Sequence, residues 1–287
     1  MRLKTVLNDF HSTLDEYYGK DEVNSFFDLL MEHYLKIKRI DLALNPKYEI
    51  DTEEHELFFK ALQELKLYKP IQYIIGETEF YGLPFKVNEH TLIPRPETEE
   101  LVDWIIKCHT ERSDESPRIL DIGTGTGCIP ITLAEHMANA QVFSIDVSEE
   151  ALQIAKQNAM LNDVDVKFIH DDILSPHHTE LSEAYNYDVI VSNPPYVRDL
   201  EKAEIKSNVL DYEPHLALFV DNENPLQFYK AICEFAQKYL NEGGALYFEI
   251  NEYLGQEMIQ LLNDFGFNKI ELKQDLFEKN RMIRGFK

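Results

Sequence analysis

The sequence predicts an α/β fold: a seven-stranded, mostly parallel sheet with helices on both faces, preceded by a small all-α bundle and a β-hairpin linker. Three observations carry this expectation. From residue 118 onward, seven short β-prone runs occur, with helix-period patterns between most of them. The first run, Ile119-Leu-Asp-Ile122, passes directly into the glycine-rich stretch Gly123–Gly127 and then an apolar helical segment. The last two runs are joined by only a short turn, so they are expected to be antiparallel to each other.

Residues 1–70 read as helices. Leu3, Val6, Leu7, Phe10 and Leu14 fall on one face of a first helix, and Val23, Phe26, Phe27, Leu30 and Tyr34 on one face of a second. Gly19-Lys20 separates the two, and Asp21 is placed to cap the second. Asp51 with Glu54 has the spacing of a capping box for a further helix carrying Leu57, Phe58, Leu62 and Leu65, which Pro70 ends. Residues 71–96 change character. Gln72–Ile75 and Glu79–Tyr81 are strand-prone, Gly82-Leu-Pro84 reads as a turn, and Phe85–Val87 follows, which together suggest a hairpin linking two domains. Ile93-Pro-Arg-Pro-Glu97 is stiff, because each proline fixes its own φ and restricts the residue before it.

The main domain is expected over 97–287. It opens with a helix carrying Leu101, Val102, Ile105 and Ile106. The strand candidates are Arg118–Ile122, Gln141–Ile145, Val166–His170, Asp188–Ser192, Ala245–Ile250, Lys269–Lys273 and Arg281–Phe286. Helical patterns lie at Ile129–Met137, Glu149–Leu161, Pro225–Leu240 and Glu252–Phe265. The segment Asn280–Arg284 reads as a closing strand with exposed charges.

Composition narrows the function classes. The 287 residues carry a formal net charge of −24, and no long basic run breaks that balance. Nucleic-acid binding draws much of its affinity from Lys and Arg at phosphates, so the charge argues against direct nucleic-acid binding. A basic protein surface or a small molecule fits better, and a purely solubilising surface is the plain alternative. Cys108, Cys128 and Cys233 lack metal-type spacing and suit a reducing compartment. His177-His178 sits in a polar stretch and reads as a solvated loop; no metal site is expected. No apolar run approaches a membrane span, and the N-terminus lacks a signal peptide's apolar core, so the expected location is cytoplasmic with no membrane partner.

Chemistry concentrates at strand ends. Gly123, Gly125 and Gly127 let the backbone turn sharply and come close to a ligand. A dinucleotide fingerprint would place Gly or Ala at 128, where Cys128 stands. Asp146 ends the next strand, placed to accept from ribose hydroxyls, and Asp172 follows the third, at the height of an adenine amino group. Asn193-Pro194-Pro195-Tyr196 follows the fourth. An Asn carbonyl held by two prolines and followed by an aromatic ring can clamp a planar amide or amino nitrogen: Asn193 Oδ1 and the Pro194 carbonyl accept its N–H groups, and Tyr196 packs on its plane. The near-copy Asn45-Pro46-Lys47-Tyr48 has no preceding glycine loop and reads as a turn.

Asp121–Gly127, Asp146 and Asp172 resemble the S-adenosylmethionine site of the seven-stranded, Rossmann-like methyltransferases, and Asn193–Tyr196 resembles their amino-methylating branch. Pro70–Gly76, Glu79–Gly82, Leu92–Glu99, Glu213–Leu218 and the helical domain together are similar to the HemK-type protein-glutamine methyltransferases that modify peptide-chain release factors. The resemblance spans essentially the whole chain. It implies S-adenosyl-L-methionine as cofactor, held by Asp121, Gly123, Thr124, Gly125, Thr126, Gly127, Asp146, Asp172, Ile173 and Asn193. It implies catalysis and substrate binding by Asn193, Pro194, Pro195 and Tyr196, with Arg95 joining on the substrate side. The substrate is then the glutamine of a release-factor Gly-Gly-Gln loop, reached with the help of the helical domain. Two other substrates suit the same clamp: an adenine amino group in DNA or RNA, taken as a flipped base, and a ribosomal-protein glutamine. Three secondary readings stay open. Arg95 is aimed at the site or forms an interdomain salt bridge. Phe80 lines the cofactor or fills the hairpin core. Glu213-Pro214 shapes the substrate channel.

Overall fold

The structure, a computed structural model, describes residues 1–109, 116–175, 178 and 186–287; His177 lies outside them. The chain divides into two compact units, Met1–Gly76 with Lys206–Tyr212, and Glu77–Ile205 with Glu213–Lys287. The division departs from the expected boundaries in two places. Residues 71–76 join the helical unit, while the hairpin belongs to the sheet unit. The segment 206–212 returns to the helical unit, where the Tyr212 hydroxyl donates to the Leu67 carbonyl (2.7 Å).

In the helical unit, α1 (Leu3–Tyr18), α2 (Lys20–Leu35) and α4 (Thr52–Lys66) pack around Phe10, Phe27 and Phe58, with the short α3 (Arg39–Leu44) between α2 and α4. Phe27 meets Phe10 edge-on with ring centroids 5.2 Å apart. The Asp51–Glu54 capping box forms, each side chain accepting from the other's backbone N–H. Asp21 makes no cap: Gly19 takes that position with φ 82°, which suits a residue without a Cβ. Leu57 is exposed, and Ala61 fills its place in the core. Gln72–Ile75, expected as strand, is part of one short helix, α5 (Ile71–Ile75), bracketed by Pro70 before it and the left-handed Gly76 after it. Asn45–Tyr48 is a turn, closed by Tyr48 N–H on the Asn45 carbonyl.

The sheet unit opens with the hairpin β1 (Glu77–Phe80) and β2 (Leu83–Lys86). Its two-residue turn is Tyr81-Gly82, one position before the expected one, with both φ values positive (52° and 77°), as such hairpins require. Tyr81 is held there by its N–H on Glu99 and its hydroxyl on Asp103. The main sheet comprises β3 (Arg118–Ile122), β4 (Gln141–Asp146), β5 (Val166–His170), β6 (Tyr187–Ser192), β9 (Leu240–Glu249), β10 (Asn268–Gln274) and β11 (Asn280–Phe286); β7 (Val197–Arg198) and β8 (Phe219–Val220) form a small separate ladder. Its order is β10-β11-β9-β6-β3-β4-β5, parallel except for β11, which runs antiparallel to both neighbours.

Side chains alternate along β3 in the way that covers a sheet twice. Leu120 and Ile122 face one core, with Tyr229, Ile232 and Phe235 of the helix Gln227–Tyr239 and Met258 and Leu262 of the helix Gly255–Asp264. Ile119 faces the other, with Leu101 and Trp104 of α6 (Pro96–His109) and Ile131 of α7 (Cys128–His136). The helix α8 (Glu149–Leu161) crosses between β4 and β5. The charges on β11 are not exposed: Arg281 pairs with Asp275, and Arg284 pairs with Glu271 and stacks over Trp104. No helix among the described residues is long and apolar enough to cross a membrane.

Candidate active site

The chain leaves β3 toward β4 and β5 on one side and returns to place β6 on the other. The order therefore reverses between β3 and β6, the crevice where open parallel sheets take ligands. Register pairs Ile122 with Ser192, and the Ser192 hydroxyl donates to the Ile122 carbonyl (2.6 Å), locking the strand ends together. The glycine turn and Asn193 consequently emerge side by side. A cavity of about 320 Å³ opens there, in the size range of small-molecule sites.

One wall is the glycine turn, of which Gly123, Thr124, Gly125 and Thr126 line the cavity. The N–H groups of Gly123 and Thr124 both reach the Ile145 carbonyl, and that of Gly125 reaches Asp146 Oδ2 (2.9 Å), so the loop is fastened to β4. Gly127 lies behind the wall. Its φ is 81°, and a Cβ there would meet Ile131 Cδ1 at 2.8 Å and Ala155 Cβ at 3.1 Å, so it serves close helix packing. Buried Asn158 donates to the Thr126 and Lys86 carbonyls, tying hairpin and turn together.

Asp146 stands on the cavity, its second oxygen accepting from Ser148 N–H. Burial raises its pKa, and the backbone N–H groups of Gly125 and Ser148 oppose the rise. Asp172 and Ile173 also line the cavity; Asp172 is exposed and its Oδ1 accepts from Leu174 N–H. Asp121 does not line it. It sits fully buried on β3 under the turn, accepting from the Ser144 hydroxyl (2.6 Å), which Thr124 contacts in turn. Its Oδ1 has no partner among the described residues, and burial pushes its carboxyl up to about 7. Cys128 lines the cavity as a neutral thiol, pushed up to about 12 by burial.

Asn193, Pro194 and Pro195 form the facing wall. Asn193 Nδ2 donates to Thr98 Oγ1 (3.2 Å), the Thr98 hydroxyl donates to Glu249 Oε2 (2.7 Å), and the Tyr196 hydroxyl donates to Glu249 Oε1 (2.9 Å). Asn193 Oδ1 is the end of the amide left without a partner among the described residues. Tyr196 stands behind this wall, packed against the core of the sheet, and Asn251 Nδ2 donates to its carbonyl (3.0 Å). Burial raises the Glu249 pKa, and the Thr98 and Tyr196 hydroxyls together with nearby Arg281 oppose it.

Arg95 lines the cavity, and its guanidinium pairs with Glu213 Oε1 (2.5 Å), while Glu213 Oε2 accepts from Ile93 N–H (3.3 Å). Both partners lie in the sheet unit, which corrects the interdomain salt-bridge reading of Arg95. Glu213 braces the proline segment, and Pro214 reaches the cavity itself. Phe80 is off the cavity, buried against Phe85 in the core. His178, expected in a solvated loop, is largely buried, with Nδ1 3.1 Å from Asp171. Sequence reasoning missed Thr98, Ser144, Asn158 and Glu249. A signal existed for two of them: Thr98 continues the proline segment, and Glu249 is the lone carboxylate in the apolar run Ala245–Ile250.

The seven-stranded sheet, with a cavity at the point where its strand order reverses, defines an α/β methyltransferase fold. A methyltransferase small domain family matches residues 104–212, and a PrmC N-terminal domain family matches residues 5–76. The chain is 50% identical to the release factor glutamine methyltransferase of Flavobacterium psychrophilum over 285 residues, 99% of each chain. It is 40% identical to that of Bacteroides thetaiotaomicron over 271 residues, 94% of this chain and 95% of the relative. A Thermus thermophilus 16S rRNA methyltransferase solved with AdoMet and guanosine shares the fold, with a TM-score of 0.52 at 17% identity, covering 74% of this chain and 49% of that one. The chain belongs to the release factor glutamine methyltransferase family.

Proposed function

We propose that the protein transfers a methyl group from S-adenosylmethionine to the side-chain amide nitrogen of the glutamine in the Gly-Gly-Gln loop of a peptide-chain release factor. The observation that carries this reading is the orientation of Asn193: its NH2 is engaged by Thr98, so its carbonyl oxygen is the free end of an amide that lines the cavity with Pro194.

The residues present fit the cofactor. Asp146, held by two backbone N–H groups, retains lone pairs for ribose hydroxyls. Asp172 and Ile173 offer an acceptor and an apolar face for an adenine ring. The close backbone at Gly123–Thr126 leaves room for the amino-acid end, and the buried Asp121 carboxyl lies under the turn. When bound, S-adenosylmethionine supplies a methyl group made electrophilic by its sulfonium.

An amide nitrogen is a weak nucleophile because its lone pair is delocalised into its carbonyl. Asn193 Oδ1 and the Pro194 carbonyl accept its two N–H groups, which fixes its direction and raises electron density on nitrogen. Positioning and preorganised dipoles carry the rate enhancement. The prolines keep the clamp rigid, and Tyr196, anchored on Glu249, holds the turn from behind. Cytoplasmic release factors, which bind the ribosome, suit the −24 charge of this chain as partners.

The test supplies methyl-labelled cofactor with purified release factor, with ribosomal protein, and with duplex and single-stranded nucleic acid. Label on release factor alone is expected. Label on nucleic acid or on ribosomal protein, with none on release factor, would overturn the reading.

A further inference from the structure

The clamp needs one end of an amide, and the two ends of Asn193 differ only in which atom carries hydrogen. Something must choose between them. The choice follows from counting hydrogens along the chain Asn193–Thr98–Glu249–Tyr196. The two oxygens of Glu249 accept from the two hydroxyls that touch it, Oε2 from Thr98 (2.7 Å) and Oε1 from Tyr196 (2.9 Å). Thr98 has a single hydroxyl hydrogen, so toward Asn193 its oxygen can only accept. The atom of Asn193 that faces Thr98 at 3.2 Å is therefore the NH2 nitrogen, and Oδ1 is turned the other way.

We propose that Thr98 and Glu249 are positioning residues that fix the Asn193 amide with its carbonyl oxygen toward the substrate nitrogen. This deepens the reading given under Proposed function and rests on it. Thr98 is 3% exposed and Glu249 is 1% exposed, so solvent does not replace either partner. Glu249 is absent from the cavity wall, so its action runs through Thr98. Burial raises the Glu249 pKa, and Arg281 on β11 opposes that rise. The same carboxylate anchors Tyr196, so one buried group sets both ends of the Asn193–Tyr196 segment.

The test uses the full-length protein and three variants. Glu249→Gln keeps the shape but can donate to Thr98, so the order of donors is no longer enforced. Thr98→Val removes the hydroxyl at nearly constant volume, and Thr98→Ser restores it. Turnover on release factor is expected to fall about 10- to 100-fold in Glu249→Gln and Thr98→Val, as for loss of a charge-assisted hydrogen bond. Cofactor affinity by calorimetry should stay within about threefold, and Thr98→Ser should recover turnover to within about threefold of wild type. A second readout needs no substrate: the Asn193 side-chain NH2 resonance, assigned by its loss in Asn193→Ala, should exchange slowly in wild type and fast in Thr98→Val. Turnover within about threefold of wild type in both Glu249→Gln and Thr98→Val would overturn the proposal, as would equal losses in Thr98→Val and Thr98→Ser. If Glu249→Gln fails to fold, the Thr98 pair decides. A slow-exchanging NH2 in a wild type that leaves release factor unlabelled would sink the substrate reading and leave the orientation argument standing.

Discussion

Replacing Asn193 by alanine tests the proposed clamp separately from the proposed cofactor site. Two interactions disappear. The first is the 3.2 Å bond from Nδ2 to Thr98, a neutral hydrogen bond at the long end of the range. Its loss costs about 0.5–1.5 kcal/mol of stability. The second is the Oδ1 acceptor in a preorganised wall bounded by Pro194 and Pro195. Losing one such fixed group typically costs about 2.7–4 kcal/mol of transition-state stabilisation, roughly 100- to 1,000-fold in kcat. Asp146 and the turn it anchors are untouched, so cofactor affinity should change by less than about threefold. The assay is single-turnover methylation of release factor at saturating cofactor, with cofactor affinity measured by calorimetry and folding by thermal melting. Turnover at saturation within about threefold of wild type, with cofactor affinity collapsed, would refute the clamp.

Further substitutions probe the rest of the site. Asp146→Ala removes the acceptor of two backbone N–H groups and should weaken cofactor affinity by about 10- to 100-fold while kcat at saturation falls little; a large kcat loss at unchanged affinity would count against its role. Asp121 concerns stability and pH. Its folded-state pKa, about 7, lies above the ordinary 3.8, so the folded protein holds this proton more tightly than the unfolded chain. Its stabilising contribution is full below about pH 4 and is lost as pH rises through about 7, by up to ~4 kcal/mol. Asp121→Asn should flatten the decline in urea stability between about pH 4 and about pH 7, and an unchanged slope would contradict the assignment. Glu213→Ala leaves the Ile93 N–H and the Arg95 guanidinium without their partner. Because Arg95 is partly exposed, a loss of ~2 kcal/mol is expected, with Glu213→Gln losing less; equal stability of Glu213→Ala and wild type in urea would show that the brace does not matter.

The centre of the sheet was legible because β3, β4 and β6 are largely apolar runs, and such runs have few alternatives once a glycine turn or an acid ends them. Six of the seven fall within one residue of their expected bounds, and β9 begins at Leu240, five residues before the expected Ala245. The Asp51–Glu54 box was legible for a similar reason: its two bonds close over three residues. Local pattern misled at Gln72–Ile75, where β-branched residues suggested strand but Pro70 and Gly76 punctuate a helical turn. It misled again at Leu57, where the helical face rotates to bury Ala61. Longer connections carried no local trace. Arg95 finds Glu213 118 residues away, and Thr98 finds Glu249 151 residues away. The motif Asn193–Tyr196 was visible in the sequence, but the partners Thr98 and Glu249 that its side chains reach could be found only once β6, β9 and α6 were side by side.

The most direct measurement of the central claim is fragment mass spectrometry of release factor after incubation with the protein and S-adenosylmethionine. The account predicts one methyl group on the side-chain nitrogen of the Gly-Gly-Gln glutamine, absent when that glutamine is replaced by alanine and absent with Asn193→Ala. A methyl group on another residue, or one that persists in the alanine-loop substrate, would contradict it.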